Sequence, residues 1–396
     1  MTKGKYFVLI YSLLIFFQGA CSRTAPPPSR GAELSFWTVG GGSTSWTARF
    51  GTAPSRFYEE FGKEKAARNA FFMALAENPR NKRQISRMSG LNEPKIEELI
   101  SRFQSIKLIK KTEEKWAATV PVITDGQALA IRENLAPLAS LVAEAMQTHV
   151  GQMKVLYEKE KTLSDPLWDD VAHFVIDKCL VDGTFHSAIV RQAPGNMYLQ
   201  HCSEDQKALP AFFLERGENF TCLGCNWYSF QEDEAKREIS VLHGNLMERF
   251  DIAMNRYRAN SAFSAALFKI TPEGGYSSLS GPEIGMFRDL GWIGEDLFLV
   301  PVVDASSIKP IMPLLEELGK EMAEIVFSNY SIILEAYQSS PYSAFLEGAG
   351  DYIQVCYHAL LSLVVEDLVQ ENIIPPIPSP VPEHFGAYIT IGSVFE

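Results

Sequence analysis

One segment, Ala66 to Thr124, constrains the fold more than any other because its apolar residues follow helical spacing and are separated by clear stop and start signals. Positions i, i+3, i+4, i+7 and i+8 predict a first helix, since these positions share one helix face. The apolar stripe comprises Ala67, Ala70, Phe71, Ala74 and Leu75. Asn78-Pro79 ends this helix, because the residue before a proline is pushed out of the helical region.

Two more helices and a pair of strands are predicted in the same segment. A short helix spans Lys82 to Met88, and Ser89-Gly90 provides the turn after it. Asn92 is a good N-cap for the third helix, with Pro94 in its first turn. Its predicted buried face comprises Ile96, Ile100 and Phe103. Residues 108–122 then predict two short strands around a polar tip.

The string from Ser89 to Ile96, with Leu99 to Ile109 after it, resembles the second half of bacterial ArsR/MarR-type winged helix-turn-helix domains. The resemblance covers residues 61–124, about sixty of the 396, and implies a third helix that reads DNA. Two departures are visible: Lys107 occupies a position that is usually glycine, and the reading helix carries Glu93, Glu97 and Glu98. Carboxylates facing phosphates lower DNA affinity. The resemblance therefore bears more strongly on fold than on function.

Charge is distributed unevenly along the chain. Residues 61–120 hold thirteen Lys or Arg and seven Glu, whereas residues 121–396 hold seventeen Lys or Arg and thirty-eight Asp or Glu. The larger part would repel nucleic acid and anionic lipid. The candidate contacts to DNA or to a partner are the basic residues Arg80, Lys82, Arg83, Arg87, Lys95, Arg102, Lys110 and Lys111. We favour the alternative that these residues form a solvated face or pair with acidic groups.

The N-terminus predicts an export signal. Lys3 and Lys5 precede an apolar run of eleven residues, which is too short to span a bilayer and typical of a signal peptide. Gln18-Gly19-Ala20-Cys21 resembles the lipobox of bacterial lipoproteins, which implies lipidation of Cys21, although Gln18 stands where an aliphatic residue is usual. An ordinary cleaved signal, an uncleaved anchor and a wrong start codon are the alternatives.

We expect an α+β protein with an N-terminal winged helix-turn-helix and a larger mixed α/β domain rich in long helices. Residues 21–58, rich in Gly, Ser, Thr and Pro, predict a flexible tether. Residues 125–162 predict connecting helices that form a homodimer interface or pack on the chain's own C-terminal half. Within residues 163–396, helices are predicted at 168–180, 233–258, 307–338 and 344–371. Strand-like or buried apolar runs are predicted at 185–199, 211–214, 220–230, 262–270, 297–303 and 388–391.

Three further cysteines provide weak candidates for a metal site. Cys222 and Cys225 form a CxxC, and His201-Cys202 could complete a Cys3His zinc set. A second CxxC is absent. Buried thiols and a structural disulfide are the alternatives that we favour, and we predict no cofactor.

Two histidines have a weak catalytic interpretation. Asp170, His173 and Asp177 share one helix face, as a proton-transfer or ion site requires, but a surface His-Asp hydrogen bond is the more common arrangement. His358 lies on an apolar helix, where a core histidine is the usual interpretation. The nucleophile elbow, HExxH, phosphate-loop and EF-hand patterns are absent from the sequence.

The sequence therefore favours a non-catalytic, lipid-anchored, extracytoplasmic protein that uses its winged-helix segment for protein interaction. A cytosolic winged-helix transcription regulator with a C-terminal sensing or dimerisation domain is the first alternative. An enzyme that uses the Asp170/His173 pair or His358 is the second.

Overall fold

The computed structural model describes residues 32–38, 43–192, 200–217, 225–242, 257, 260–271, 278–294, 299–376 and 386–395. The fold is mixed α+β and dominated by long helices, as predicted. The lipobox cysteine Cys21 and the run Gly40-Gly41-Gly42 lie outside the described residues.

The described residues of the N-terminal part form five helices, one antiparallel strand pair and one further strand. Strand β1 (Leu34–Thr38) is followed by α1 (Ser43–Phe50) and α2 (Pro54–Gly62). The flexible tether predicted at residues 21–58 is therefore wrong for β1, for α1 and for the first residues of α2. The composition is polar, but Leu34, Trp46, Phe50 and Phe57 are buried together and supply the apolar area that the overall Gly and Ser content conceals.

The three helices predicted in the 66–105 region are confirmed as α3 (Lys65–Met73), α4 (Lys82–Ser89) and α5 (Glu93–Ser105). Asn81 and Gln84 form a capping box at the start of α4, and Asn92 caps α5 by accepting from the Lys95 backbone N–H. The antiparallel pair β2 (Ile109–Thr112) and β3 (Lys115–Ala118) follows.

Lys107 has a φ of 52°, in the left-handed region that favours glycine. It follows the end of α5, where the Leu108 N–H donates to the Phe103 carbonyl at 2.9 Å.

A three-stranded sheet joins the N-terminal helices to the rest of the chain. Its order is β1-β5-β4, with β5 (Ala211–Glu215) between β1 and β4 (Val122–Ile123). Phe213 on one face of β5 packs on Phe72 with ring centroids 4.3 Å apart. Phe212 on the other face belongs to the core of the C-terminal helices. Successive residues of one strand thus enter two different cores.

The predicted connecting helix is one long helix, α6 (Asp125–Glu160), capped by Thr124 and Gln127. It packs along α15 (Gly350–Gln370) and α13 (Met312–Ser328), as the intramolecular alternative required. Two leucines of α6, Leu129 and Leu141, are exposed. The homodimer stays a prediction.

The centre of the C-terminal part is helical. Helix α7 (Trp168–His173) continues into a π-helix of 12 residues (Phe174–Phe185) and then into α8 (His186–Gln192). The helix predicted at 168–180 is confirmed, but the strand-like pieces predicted from Phe185 are wrong up to Gln192. Helix α9 (Glu204–Ala208) precedes β5. Among the described residues, α15 is the one helix long and apolar enough to cross a membrane (mean hydropathy 1.3), and 78% of that apolar stretch is buried in the fold.

A second sheet has the order β6-β7-β9-β8, formed by β6 (Cys225–Glu232), β7 (Ala235–Leu242), β8 (Val302–Asp304) and β9 (Ala387–Ile391). The helix predicted at 233–258 is therefore wrong over β7. Ile239 and Leu242 fit helical spacing, but both faces of this strand are buried, so the alternation of a half-exposed strand is absent. Conversely, most of the run at 262–270, predicted as strand-like or as a buried apolar run, belongs to the helix α10 (Ser261–Phe268).

The remaining helices are α11 (Gly281–Asp289), α12 (Ala305–Ile308) and α14 (Tyr330–Ser339), with α13 and α15. The helix predicted at 307–338 is thus divided into several helical pieces, and the helix predicted at 344–371 begins at Gly350.

Candidate interaction surface and buried polar sites

The family resemblance assigns α5 to DNA reading, but cations on the surface of this helix are paired with nearby carboxylates. Lys95 donates to Glu64 and, at 2.7 Å, to Glu98. Arg102 contacts the same two carboxylates, at 3.0 Å from Glu64. The hydrogen bonds from Lys95 and Arg102 lower the pKa of Glu64 and keep it ionised. Glu64 occupies the N-cap position of α3 with a left-handed backbone and makes no side-chain cap hydrogen bond there.

Three more of the predicted basic contacts have acidic partners. Lys82 lies 2.6 Å from Glu97 on α5, and Lys111 lies 3.9 Å from Glu114. Lys110 on β2 lies 2.9 Å from Glu347, which precedes α15. These pairs agree with the interpretation that basic residues of this segment pair with acidic groups, including one from the acidic remainder of the chain.

The other three basic candidates differ among themselves. Arg83 and Arg87 are exposed on α4, and the described residues include no ion pair to either of them. Arg80 is half-buried. Its backbone N–H donates to the Trp116 carbonyl of β3, and its carbonyl accepts from the Trp116 N–H, each at 2.8 Å. The cations available to an external anion on this side are therefore chiefly Arg83 and Arg87.

A buried ion pair lies at the junction between the N-terminal helices and the C-terminal core. Arg49 of α1 donates to Asp351 of α15 at 2.6 Å, and both side chains are buried, Asp351 completely. Asp351 also accepts from Gln206 at 3.1 Å and from the Ala211 N–H at 3.0 Å. Burial raises the pKa of Asp351, while Arg49 and the two other donors oppose that rise. One carboxylate thus holds four elements together.

The three residues of the predicted polar helix face, Asp170, His173 and Asp177, differ in solvent exposure. Asp170 is exposed, whereas His173 and Asp177 are buried. His173 Nδ1 lies 3.3 Å from Asp177, and its Nε2 lies 2.9 Å from the Pro375 carbonyl oxygen. Burial lowers the pKa of His173, but the Asp177 carboxylate and the Pro375 carbonyl outweigh it and raise that pKa. The expected surface location is wrong, while the expected His-Asp contact is confirmed.

A second buried ion pair involves the π-helix. Lys178 Nζ donates to Ser240 Oγ at 2.5 Å and to Glu238 at 3.3 Å, both on β7. All three side chains are buried. Glu238 also accepts a hydrogen bond from Ser393 at 3.2 Å, so both of its carboxylate oxygens have donors. We interpret it as the polar link between the π-helix and the second sheet.

The predicted cysteine set lies mostly outside the described side chains. Cys222 is outside the described residues, and only the backbone of Cys225 is described, in β6. Cys202 is buried. Within the described ranges no group of three His, Cys, Asp or Glu side chains could hold a metal ion. The zinc hypothesis therefore stays a prediction.

His358 is a buried core histidine, as expected. Its Nδ1 lies 2.7 Å from the Gln354 carbonyl oxygen, and the Phe212 ring lies edge-on at 5.8 Å. Burial lowers the pKa of His358 to about 4. The imidazole is therefore neutral at neutral pH.

A small cavity of about 20 Å³ lies beside this helix, between α8, α13, α14 and α15. Most of its lining is apolar, but Tyr330, Gln354, Tyr357 and His186 also contribute. The Tyr357 hydroxyl donates to the Val181 carbonyl at 2.9 Å. By contrast, the hydroxyl of Tyr330 and Oε1 of Gln354 are buried and have no hydrogen-bond partner.

Comparison of the chain with protein-family models, with curated proteins and with solved structures finds no match.

Sequence patterns do not reveal the Arg49–Asp351 pair, the Lys178 cluster or the cavity. Arg49 and Asp351 are 302 positions apart, and Tyr330 and Gln354 lie on different helices. The one local signal was a charged residue within apolar surroundings. Asp351 precedes Tyr352, Ile353 and Val355, a context in which a carboxylate needs a partner.

Proposed function

We propose that the chain is a non-catalytic, lipid-anchored extracytoplasmic protein in which residues 61–124 form a winged-helix module used for protein interaction. The lipid is attached at Cys21 under this proposal. Homodimerisation through the exposed leucines of α6 is one form that the interaction could take.

The observation that carries the proposal is the charge arrangement on α5. Glu64, Glu97 and Glu98 engage the cations Lys82, Lys95 and Arg102, and the Lys95 and Arg102 side chains are only 22% and 10% exposed. Binding DNA would require those pairs to break. Most non-specific DNA affinity comes from protein cations that displace counterions from the phosphates, and a cation paired with a carboxylate is less available for this. A protein partner makes no such demand, since mixed charges suit the rim of a protein interface.

The backbone at Lys107 supports the winged-helix part of the proposal. Its left-handed φ of 52° is the conformation for which glycine is favoured, and glycine is usual at this position in the family that the segment resembles. The order of three helices followed by an antiparallel hairpin also supports it.

A DNA retardation assay tests the carrying observation. We expect the full chain without its signal peptide to leave duplex DNA unretarded even at about 50 mM salt. A Glu93→Gln/Glu97→Gln/Glu98→Gln variant provides the matched comparison. It should gain weak, salt-sensitive binding because Lys82 and part of the Lys95 and Arg102 charge become available. Retardation of the wild-type protein would contradict the proposal.

The exposed pair Arg83 and Arg87 favours the cytosolic regulator as the second candidate. Under that candidate, the wild-type protein retards DNA, and the Arg83→Ala/Arg87→Ala variant loses the retardation.

Lipid attachment is tested separately by labelling with palmitate. We expect label on the wild-type chain, globomycin-sensitive processing, and loss of both in Cys21→Ala. A Cys21→Ala protein that is processed and membrane-bound like the wild type would exclude the lipid anchor.

A further inference from the structure

The cavity between α8, α13, α14 and α15 combines two unpartnered polar atoms with an apolar lining. Tyr330 and Gln354 are each only 3% exposed, yet neither the Tyr330 hydroxyl nor Gln354 Oε1 has a hydrogen-bond partner. A buried polar group without a partner is costly, and such groups are rare in folded proteins. Both residues line the same cavity.

The two atoms specify the group that would satisfy them. Gln354 Oε1 is an acceptor and needs a donor, whereas the Tyr330 hydroxyl can donate or accept. A hydroxyl group is both donor and acceptor, so its chemistry matches the needs of both side chains. The volume of about 20 Å³ admits one group of that size, because a single water needs roughly 10–15 Å³ on this measure.

The remaining lining indicates that the ligand is uncharged and largely apolar. The cavity is lined by no Asp, Glu, Lys or Arg among the residues that the structure describes. An ion would therefore lose its hydration without gaining a counter-charge. Apolar side chains such as Ile189, Val326 and Ile333 make up most of the surface.

The lining residues differ in their exposure to solvent. Of the residues that line the cavity, His186 and Phe327 are half-buried and the others are buried. A chain attached to a hydroxyl in the cavity would therefore reach solvent on the side of these two residues.

We propose that this cavity binds the hydroxyl end of an uncharged aliphatic alcohol, with the hydroxyl between Tyr330 and Gln354 and the hydrocarbon chain leaving past His186 and Phe327. The proposal does not depend on the lipid anchor or on the winged-helix assignment, because every residue in it belongs to the C-terminal helices.

Isothermal titration of the full chain without its signal peptide, with 1-octanol as the probe, tests the proposal. We expect saturable binding of 1-octanol and at least about 3- to 10-fold weaker binding of octyl methyl ether, which lacks the donor. Tyr330→Phe and Gln354→Leu should each weaken 1-octanol binding by a similar factor and should reduce the preference for the alcohol.

Two controls separate a binding effect from a folding effect. Tyr388→Phe removes another buried tyrosine hydroxyl, on β9 and outside the cavity lining, and should bind 1-octanol like the wild type. Tyr330→Phe and Gln354→Leu should unfold no earlier than the wild type without ligand, since each removes an unpartnered polar atom.

Equal affinity for the alcohol and the ether would overturn the proposal, as would wild-type affinity in both cavity variants. It would also be overturned by a crystal grown with 1-octanol that shows only a water between Tyr330 and Gln354. Density for the alcohol at that position, lost in Tyr330→Phe, would support it.

Discussion

The α5 surface and the α1–α15 junction use the same kinds of charged residue in opposite ways. On α5, Lys95 and Arg102 meet the exposed carboxylates of Glu64 and Glu98, which water screens, although the Arg102 side chain itself is only 10% exposed. At the junction, Arg49 and Asp351 meet away from water, and Gln206 and the Ala211 N–H also donate to the carboxylate. The first arrangement governs what the surface can bind. The second governs whether two parts of the fold stay together.

The difference is one of desolvation. An exposed pair gives up little hydration and therefore contributes little to stability. A buried pair loses its hydration in the folded state, and removing one partner leaves the other charge without compensation. Stability measurements should therefore be insensitive to the α5 charges and sensitive to the junction.

The largest expected effect is at the junction. Asp351→Ala should lower the free energy of unfolding by about 3–5 kcal/mol, because Arg49 remains buried without its partner. Urea denaturation followed by circular dichroism measures this. The double variant Arg49→Met/Asp351→Leu is the control. It should recover the part of the loss that the unpaired Arg49 charge causes, while Gln206 and the Ala211 N–H remain without their acceptor. A loss below about 1 kcal/mol in Asp351→Ala would show that the pair behaves like a surface pair.

His358 should make stability fall as pH decreases. Its folded pKa of about 4 lies below the ordinary value of 6.5, so the unfolded chain binds a proton that the folded chain excludes. The contribution of neutral His358 to the free energy of unfolding is fully present above pH 6.5. It is lost as the pH falls toward 4, by roughly 3 kcal/mol in total. His358→Leu should flatten the profile of unfolding free energy in that window. An unchanged slope would contradict the burial argument.

His173 should act in the opposite direction. Its folded pKa is raised, so its contribution is present below the ordinary value of 6.5 and is lost as pH rises through the higher folded value. His173→Gln should therefore reduce the loss of stability on the alkaline side of pH 6.5 and leave the slope due to His358 unchanged. Unfolding titrations of the single variants and of the double variant distinguish the two windows.

Lys107→Gly should stabilise the chain by about 0.5–1 kcal/mol, because glycine adopts the left-handed backbone without the penalty of a Cβ atom. Lys107→Ala is the matched control: it removes the same side chain but keeps the penalty. Equal unfolding midpoints for the two variants would show that the backbone strain is unimportant.

The smallest expected effect is on the α5 surface. A double-mutant cycle on Lys82 and Glu97 should give a coupling of only ~0.2–1 kcal/mol, decreasing with added salt. A coupling as large as that between Arg49 and Asp351 would remove the distinction between the two regions.

Local signals predicted the elements that have local causes. Gly90 marks the end of α4 and Asn92 the start of α5, and each performs the predicted role, with Gly90 at a φ of 73°. Thr124 caps the long helix α6 in the same local way, although that role was not predicted. In these cases a side chain or a glycine satisfies backbone groups within a few residues of itself, so the sequence contains the information.

The elements missed are those that tertiary contacts decide. Strand β7 was predicted as a helix because it lacks the alternation of a half-exposed strand. Helices cover one of its faces, and an apolar cluster that includes residues of α10 and α11 covers the other. Its turn, with Asp233 at a φ of 50° and Glu234 after it, contains no glycine that would mark a hairpin. Strand β1 was missed because its partner, β5, lies about 180 residues later.

The candidate sites were less predictable than the fold. The basic residues of α4 and α5 were identified from the sequence, but Glu64, which contacts two of them from another helix, was not. The same limit applies to Arg49 with Asp351 and to Tyr330 with Gln354, because pairing over such sequence distances depends on the packing of whole helices.

Fractionation of native cells, followed by protease treatment of intact cells or spheroplasts, tests the central claim most directly, since a module outside the cytoplasm has no chromosome to read. We predict that the protein is in the membrane fraction, is released by detergent and not by high salt, and is protease-accessible from outside the inner membrane. A soluble, protease-protected protein that co-fractionates with the nucleoid would contradict the account.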